Sequence, residues 1–113
     1  MTDEEKIRQV MAKYQAAYEA LNIEAVKEVQ PALASFQIDR ISRAFTDYRS
    51  LKLKFNNEKL SITGPNATIK CVVGQIATYK NGQIGATNLP TMFSFRKMND
   101  NWVMTRTTET PGR

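Results

Sequence analysis

Proton-transfer chemistry needs an ionisable side chain whose pKa has been brought near the working pH, and this chain is poor in such groups. It has no histidine. Its eleven Asp and Glu residues fall at expected helix starts, on polar helix faces, in turns (Glu58, Asp100) or in the tail (Glu109). None is expected on an inward strand position, so no catalytic residue is assigned and a non-catalytic role is favoured. The single cysteine, Cys71, sits in the apolar run Ile69-Lys70-Cys71-Val72-Val73, where a buried, inert thiol is the expectation. One cysteine without histidine excludes a zinc site built from those ligands, and no calcium-loop pattern occurs. No G-x-x-x-x-G-K-[ST], G-x-G-x-x-G or G-x-S-x-G string is present, so neither a phosphate cradle nor a serine nucleophile is supported. No metal and no cofactor are expected.

What remains is neutral hydrogen-bonding chemistry and some scattered cations. Tyr14 and Tyr18 are four residues apart on one apolar helical stripe. If Ala67, Ile69, Cys71 and Val73 face the helices, then Gln75 and Tyr79 continue along the same strand face. Arg106 alternates with Trp102 and Met104. Each has two readings. The tyrosines are core residues with hydroxyls reaching a partner, or they are donors in a pocket; Gln75 pairs with one of them or meets a ligand. Arg106 is either an anion ligand or a stacked surface residue.

Six acids and four bases lie in residues 1–30, against five acids and twelve bases in residues 31–113, so the net charge of +5 belongs to the C-terminal part. The lysines there are dispersed singly, without aromatic interleaving, and nucleic-acid binding is not expected. A membrane span needs about 20 mainly apolar residues, far longer than any run here. No signal peptide is expected, and the composition is that of one ordinary folded domain.

The elements that must position these residues divide the chain in two. Thr2-Asp3-Glu4-Glu5 is a capping-box string, followed by Ile7, Val10, Met11, Tyr14, Ala17, Tyr18 and Leu21 at helical spacing. Asn22 ends that helix and caps a short second one over Ile23–Val29, which Pro31 stops. A third helix begins near Ser35 or Gln37. After Tyr48 the apolar period falls from about 3.6 to 2, the change from helix to strand. Leu51, Leu53 and Phe55 alternate with lysines, and Asn56-Asn57 is expected to turn the chain into residues 59–63. A long strand over 67–80 closes at Asn81-Gly82, a strong hairpin signal. Gly85 and Pro90 predict an irregular return arm before pairing resumes at 91–97. Asn99-Asp100-Asn101 makes the last turn into a strand over 102–108.

This order, with Ile7-Arg8-Gln9-Val10, the stretch Tyr14-Gln15-Ala16-Ala17-Tyr18-Glu19-Ala20-Leu21-Asn22, the step Glu24-Ala25-Val26 and the terminal Trp102-Val103, resembles the nuclear transport factor 2-like superfamily, which includes SnoaL-like cyclases and ketosteroid isomerases. The resemblance implies an α+β fold of N-terminal helices packed on a strongly curved antiparallel sheet of four to five strands, cystatin-like and cone-shaped. A single domain over 1–109 with a flexible tail at 110–113 is expected. Tyr14, Tyr18, Gln75, Tyr79 and Arg106 are the candidates for lining the cone. With no inward acid, the expectation is a non-catalytic domain that binds a small apolar ligand or serves assembly, and the stretch Tyr14 to Leu21 with Pro31 and the third helix also resembles accessory domains of larger bacterial proteins. The alternative is a SnoaL-like cyclase or an isomerase acting by proton transfer. A homodimer through the outer sheet face, which would carry Lys70, Val72, Gly74, Ile76 and Met92, completes the expectation.

Overall fold

The computed structural model describes residues 1–109, so the expected tail at 110–113 lies outside the described residues. Three helices, α1 (Asp3–Glu19), α2 (Ile23–Val29) and α3 (Ser35–Asp47), precede four strands, β1 (Tyr48–Thr63), β2 (Asn66–Tyr79), β3 (Ile84–Met98) and β4 (Asn101–Glu109). The strands form one antiparallel curled sheet in the order β1-β2-β3-β4. None of the helices is long and apolar enough to cross a membrane.

The helical boundaries follow from capping chemistry. The Thr2 hydroxyl accepts from the Glu5 amide at 3.1 Å while the Glu5 carboxylate accepts from the Thr2 amide at 2.9 Å, satisfying donors that a helix start leaves unpaired. The chain leaves α1 through Leu21 at φ 53°, and the Asn22 side chain then accepts from the Ala25 amide to start α2. At α3 the Gln37 side chain reaches back to the Ala34 amide at 2.8 Å. The core lies between α1 and the sheet, where Ile7, Met11, Tyr14 and Ala17 meet Ile69, Phe93, Phe95 and Met104.

Two expectations about the sheet are corrected. Asn56-Asn57 is not a turn: β1 runs straight through it as one strand, with an extra residue between the pairs Asn56↔Val72 and Lys59↔Lys70. Asn57 absorbs this bulge at φ 57°, a left-handed value that Asn tolerates better than most residues. The two short expected strands are therefore one, and the sheet has four strands. Glu58 accordingly sits at the bulge, where it faces Arg8 of α1 at 3.6 Å. The return arm is also regular, since β2 and β3 pair without a register shift from Asn66↔Arg96 to Thr78↔Ile84. Pro90 stands opposite Val72 within this unbroken ladder, so its ring does not interrupt the pairing of β2 with β3.

The hairpin β2-β3 closes at Asn81-Gly82 as expected, with Gly82 at φ 91°. Asn99 and Asp100 join β3 to β4 with φ values of 50° and 66°, the two positive angles of a type I′ hairpin.

Candidate functional site

The interior of the cone is filled by rings. Tyr14 of α1 lies 4.5 Å from Tyr18, 5.1 Å from Phe93 and 6.2 Å from Phe55 between ring centroids. Tyr18 in turn meets Phe45 of α3 edge-on at 5.8 Å. Burial pushes the Tyr14 hydroxyl well above its ordinary pKa, with Tyr18 and then Glu109 adding to the shift. Burial likewise lifts Tyr18 to about 12. Both phenols are therefore neutral donors at ordinary pH.

At the mouth of the cone the polar groups converge. The Tyr18 hydroxyl donates to Gln30 Oε1 at 2.6 Å, and Gln30 Nε2 donates to the Thr107 hydroxyl at 3.3 Å. Thr107 passes the chain on to the Met104 sulfur at 3.7 Å. Gln30 is only 7% exposed, so one neutral amide bridges α1 and β4 from the end of α2. Above this chain opens a crevice of about 420 Å³, bounded by Gln30, Leu33 and Gln37 on one side and by Met104, Thr107 and Glu109 on the other.

Thr107 faces the crevice because β4 carries a bulge. Ser94 pairs with Arg106 while Phe95 pairs with Met104, leaving Thr105 as the extra residue; the Thr105 hydroxyl donates to the Ser94 carbonyl at 3.3 Å. Two consecutive residues thus point outward and the alternation changes phase. Arg106, expected on the face of Trp102 and Met104, instead pairs with Ser94 on the outer phase, and it also lines the crevice rim. Thr107 and Glu109 pair with the buried Phe93 and Thr91 and so take the inward phase. Glu109 is therefore not in a tail but on a cone-facing strand position, at the exposed mouth, contrary to the expectation that no acid would be there.

Of the other candidates, Gln75 is half-buried on the inward face opposite Leu53, away from the crevice at Gln30. Tyr79 packs edge-on against Tyr48 at 5.3 Å and lies over Gly85, where a Cβ would come 3.4 Å from its ring. Tyr18 is thus joined to the crevice through Gln30 and Tyr14 packs against Tyr18, whereas Gln75 and Tyr79 belong to the far end of β2. Gln30, Thr107 and Glu109 were missed by sequence reasoning. Gln30 reads as a helix terminus, and nothing in Thr105-Arg106 marks the bulge that turns the other two inward.

The remaining acids have structural duties. Asp3 accepts from the Trp102 indole at 3.0 Å and pairs with Lys97 at 3.1 Å, and those contacts hold its pKa below the ordinary value. Glu19 accepts from the Leu53 amide at 2.9 Å, the chief reason its own pKa is lowered. Burial raises the Cys71 thiol to about 11, the setting of an inert core cysteine. Among the described residues, no group of three or more Cys, Asp or Glu side chains is arranged to hold a metal ion.

Solved structures match this architecture over nearly its whole length. A candidate dehydratase of the nuclear transport factor 2-like family from Streptomyces avermitilis superposes with a TM-score of 0.83 at 15% identity, covering 99% of this chain and 97% of that one. A nuclear transport factor 2-like superfamily protein from Salmonella enterica gives 0.81 at 14% identity, over 96% of this chain and 91% of that one. The chain has the nuclear transport factor 2-like fold. A candidate aromatic ring hydroxylase from Novosphingobium aromaticivorans is similar as well, with a TM-score of 0.82 at 19% identity over 95% of this chain and 87% of that one. No family model and no curated protein matches the sequence.

Proposed function

We propose that this chain is a non-catalytic binding domain that takes a small, uncharged, amphipathic molecule in the crevice at the mouth of the cone. The observation that carries the reading is the amide of Gln30. It is buried, it faces the crevice, and it joins two other neutral groups, Tyr18 and Thr107, in one chain. A mainly polar wall, in which the neutral side chains of Gln30, Gln37, Thr105, Thr107 and Thr108 outnumber the charged Arg106 and Glu109, suits a ligand that brings hydroxyl or carbonyl groups and little charge. The deeper cone is occupied by aromatic side chains, so the ligand stays in the crevice at its mouth.

A fragment library of neutral hydroxyl- and carbonyl-bearing aromatics, followed by amide chemical shifts, tests this. Binding should perturb Gln30, Leu33 and Thr107 together, and Gln30→Leu should weaken it about tenfold, the loss expected for one or two hydrogen bonds. Perturbations confined to other surfaces, or none, would defeat the proposal.

A second reading rests on Glu109, a carboxylate on an inward strand position near the neutral phenol of Tyr14. A base beside neutral donors is the minimum for proton transfer. Two of the similar structures carry enzyme names. If a bound fragment is converted by the native chain and left unchanged by Glu109→Gln, this reading replaces the first.

A further inference from the structure

Outside the irregularity at Arg49, the register assigns the charges on the sheet to a face. Lys70, Val72, Gly74 and Ile76 alternate with the buried Ile69, Cys71 and Ala77, and so point outward. Their partners across β1 and β3 include Lys52, Lys54, Lys59 and Met92. Arg96 and Arg106 take the same side through Asn66 and Ser94. The outer face therefore carries six bases, all exposed. It carries no acid: Glu58 turns to Arg8 on the helical side, Asp100 lies in the β3-β4 turn, and Glu109 faces inward. Among the described residues none of the six has a carboxylate within ion-pairing distance.

Lys59 and Lys70 stand directly opposite one another. Like charges in a cross-strand pair destabilise a sheet, and among the described residues neither lysine has an ion pair. Between the bases runs an apolar strip of Val72, Ile76 and Met92, of which Ile76 is 52% exposed. An apolar centre inside a charged rim is the anatomy of a protein interface.

We infer that the outer face of the sheet docks a protein partner that presents an apolar patch among Asp and Glu side chains. A second copy placed face to face would set the same six bases against one another, so charge complementarity selects a different partner. Nucleic acid fits less well, because the strip holds aliphatic side chains and no aromatic ring on which a base could stack.

The test uses the chain as it stands and three labelled probes followed by fluorescence anisotropy: a short peptide alternating glutamate with leucine, its glutamate–serine counterpart, and oligothymidine. The leucine peptide should bind about tenfold more tightly than the serine peptide, in keeping with the loss of a few buried aliphatic contacts, and both affinities should fall as salt rises. Lys59→Glu separates binding from folding. It turns the Lys59–Lys70 pair into an attractive one, so the melting temperature should hold or rise while leucine-peptide binding is lost. Tighter binding of oligothymidine, equal binding of the two peptides, or no peptide binding at low salt would each overturn the inference. So would a stable dimer that Lys59→Glu dissociates, because the face would then belong to a second copy.

Discussion

At Gln30 both halves of one amide are used on different elements, the oxygen on the long helix and the nitrogen on the last strand. The phenols behind it are buried and uncharged. The ordinary tyrosine pKa is about 10 and Tyr18 is lifted to about 12, so between those values the folded chain holds a proton that the unfolded chain has released. The stability from this neutral phenol is complete below about pH 10 and is lost as pH rises toward about 12. Chemical denaturation at a series of alkaline pH values should show this decline, and Tyr18→Phe should make it shallower, leaving the part that belongs to Tyr14. An equally steep decline in the variant would mean that Tyr18 is not the responsible group. Tyr14 and Tyr18 were legible as residues because helical spacing put them on the buried stripe. Gln30 was not, since one polar side chain before a proline has the same appearance whether it caps a helix or spans a cone.

Among the elements, β1 shows how an edge is closed. Leu53 lies on the outermost strand, and its backbone groups directed away from β2 are taken by side chains of α1: its amide by Glu19 at 2.9 Å and its carbonyl by Gln15, also at 2.9 Å. Two helical residues one turn apart thus stand in for a missing neighbouring strand, the kind of protection that keeps an edge from pairing with another chain. Glu19→Ala removes the acceptor and should lower the unfolding free energy by about 1–2 kcal/mol, measured by urea denaturation, whereas Glu19→Gln should retain most of it. Equal losses in both would remove the edge-closing role. The bulges belong to this scale too. An extra residue at Asn57 merged two expected strands, and one at Thr105 reversed the facing of Arg106 and Glu109. Period-2 alternation locates strands well, but it carries its phase past a bulge unchanged, and every inward or outward assignment beyond that point is then inverted.

Over the whole molecule, charge is sorted by layer. Six of the twelve bases in residues 31–113 gather on the outer sheet face, while Glu5 caps α1, Glu19 closes an edge and Asp3 and Glu58 pair on the helical side. With a net charge of +5 and a lysine pair opposed across β1 and β2, self-repulsion acts against the folded state. Added salt should relieve it. The melting temperature should rise from low ionic strength to about 0.15 M salt, where the screening length falls to about 8 Å, and the rise should shrink in Lys59→Glu. A melting temperature that falls or stays level over that range would show that favourable ion pairs such as Asp3–Lys97 dominate instead.

The amino-acid sequence alone determined the three helices, the change of period after Tyr48, the hairpin at Asn81-Gly82 and the side of β2 that is buried. These depend on capping groups, local spacing and tolerance of positive φ, all properties of residues near one another in the chain. Tertiary structure decided which polar groups meet, because Tyr18, Gln30 and Thr107 come from three elements and are joined only when α1, α2 and β4 converge. It also decided that the scattered lysines share one face, since a face is defined by pairing across strands. Pairing across strands depends in turn on single-residue bulges, whose small local energies leave no distinctive pattern in the sequence.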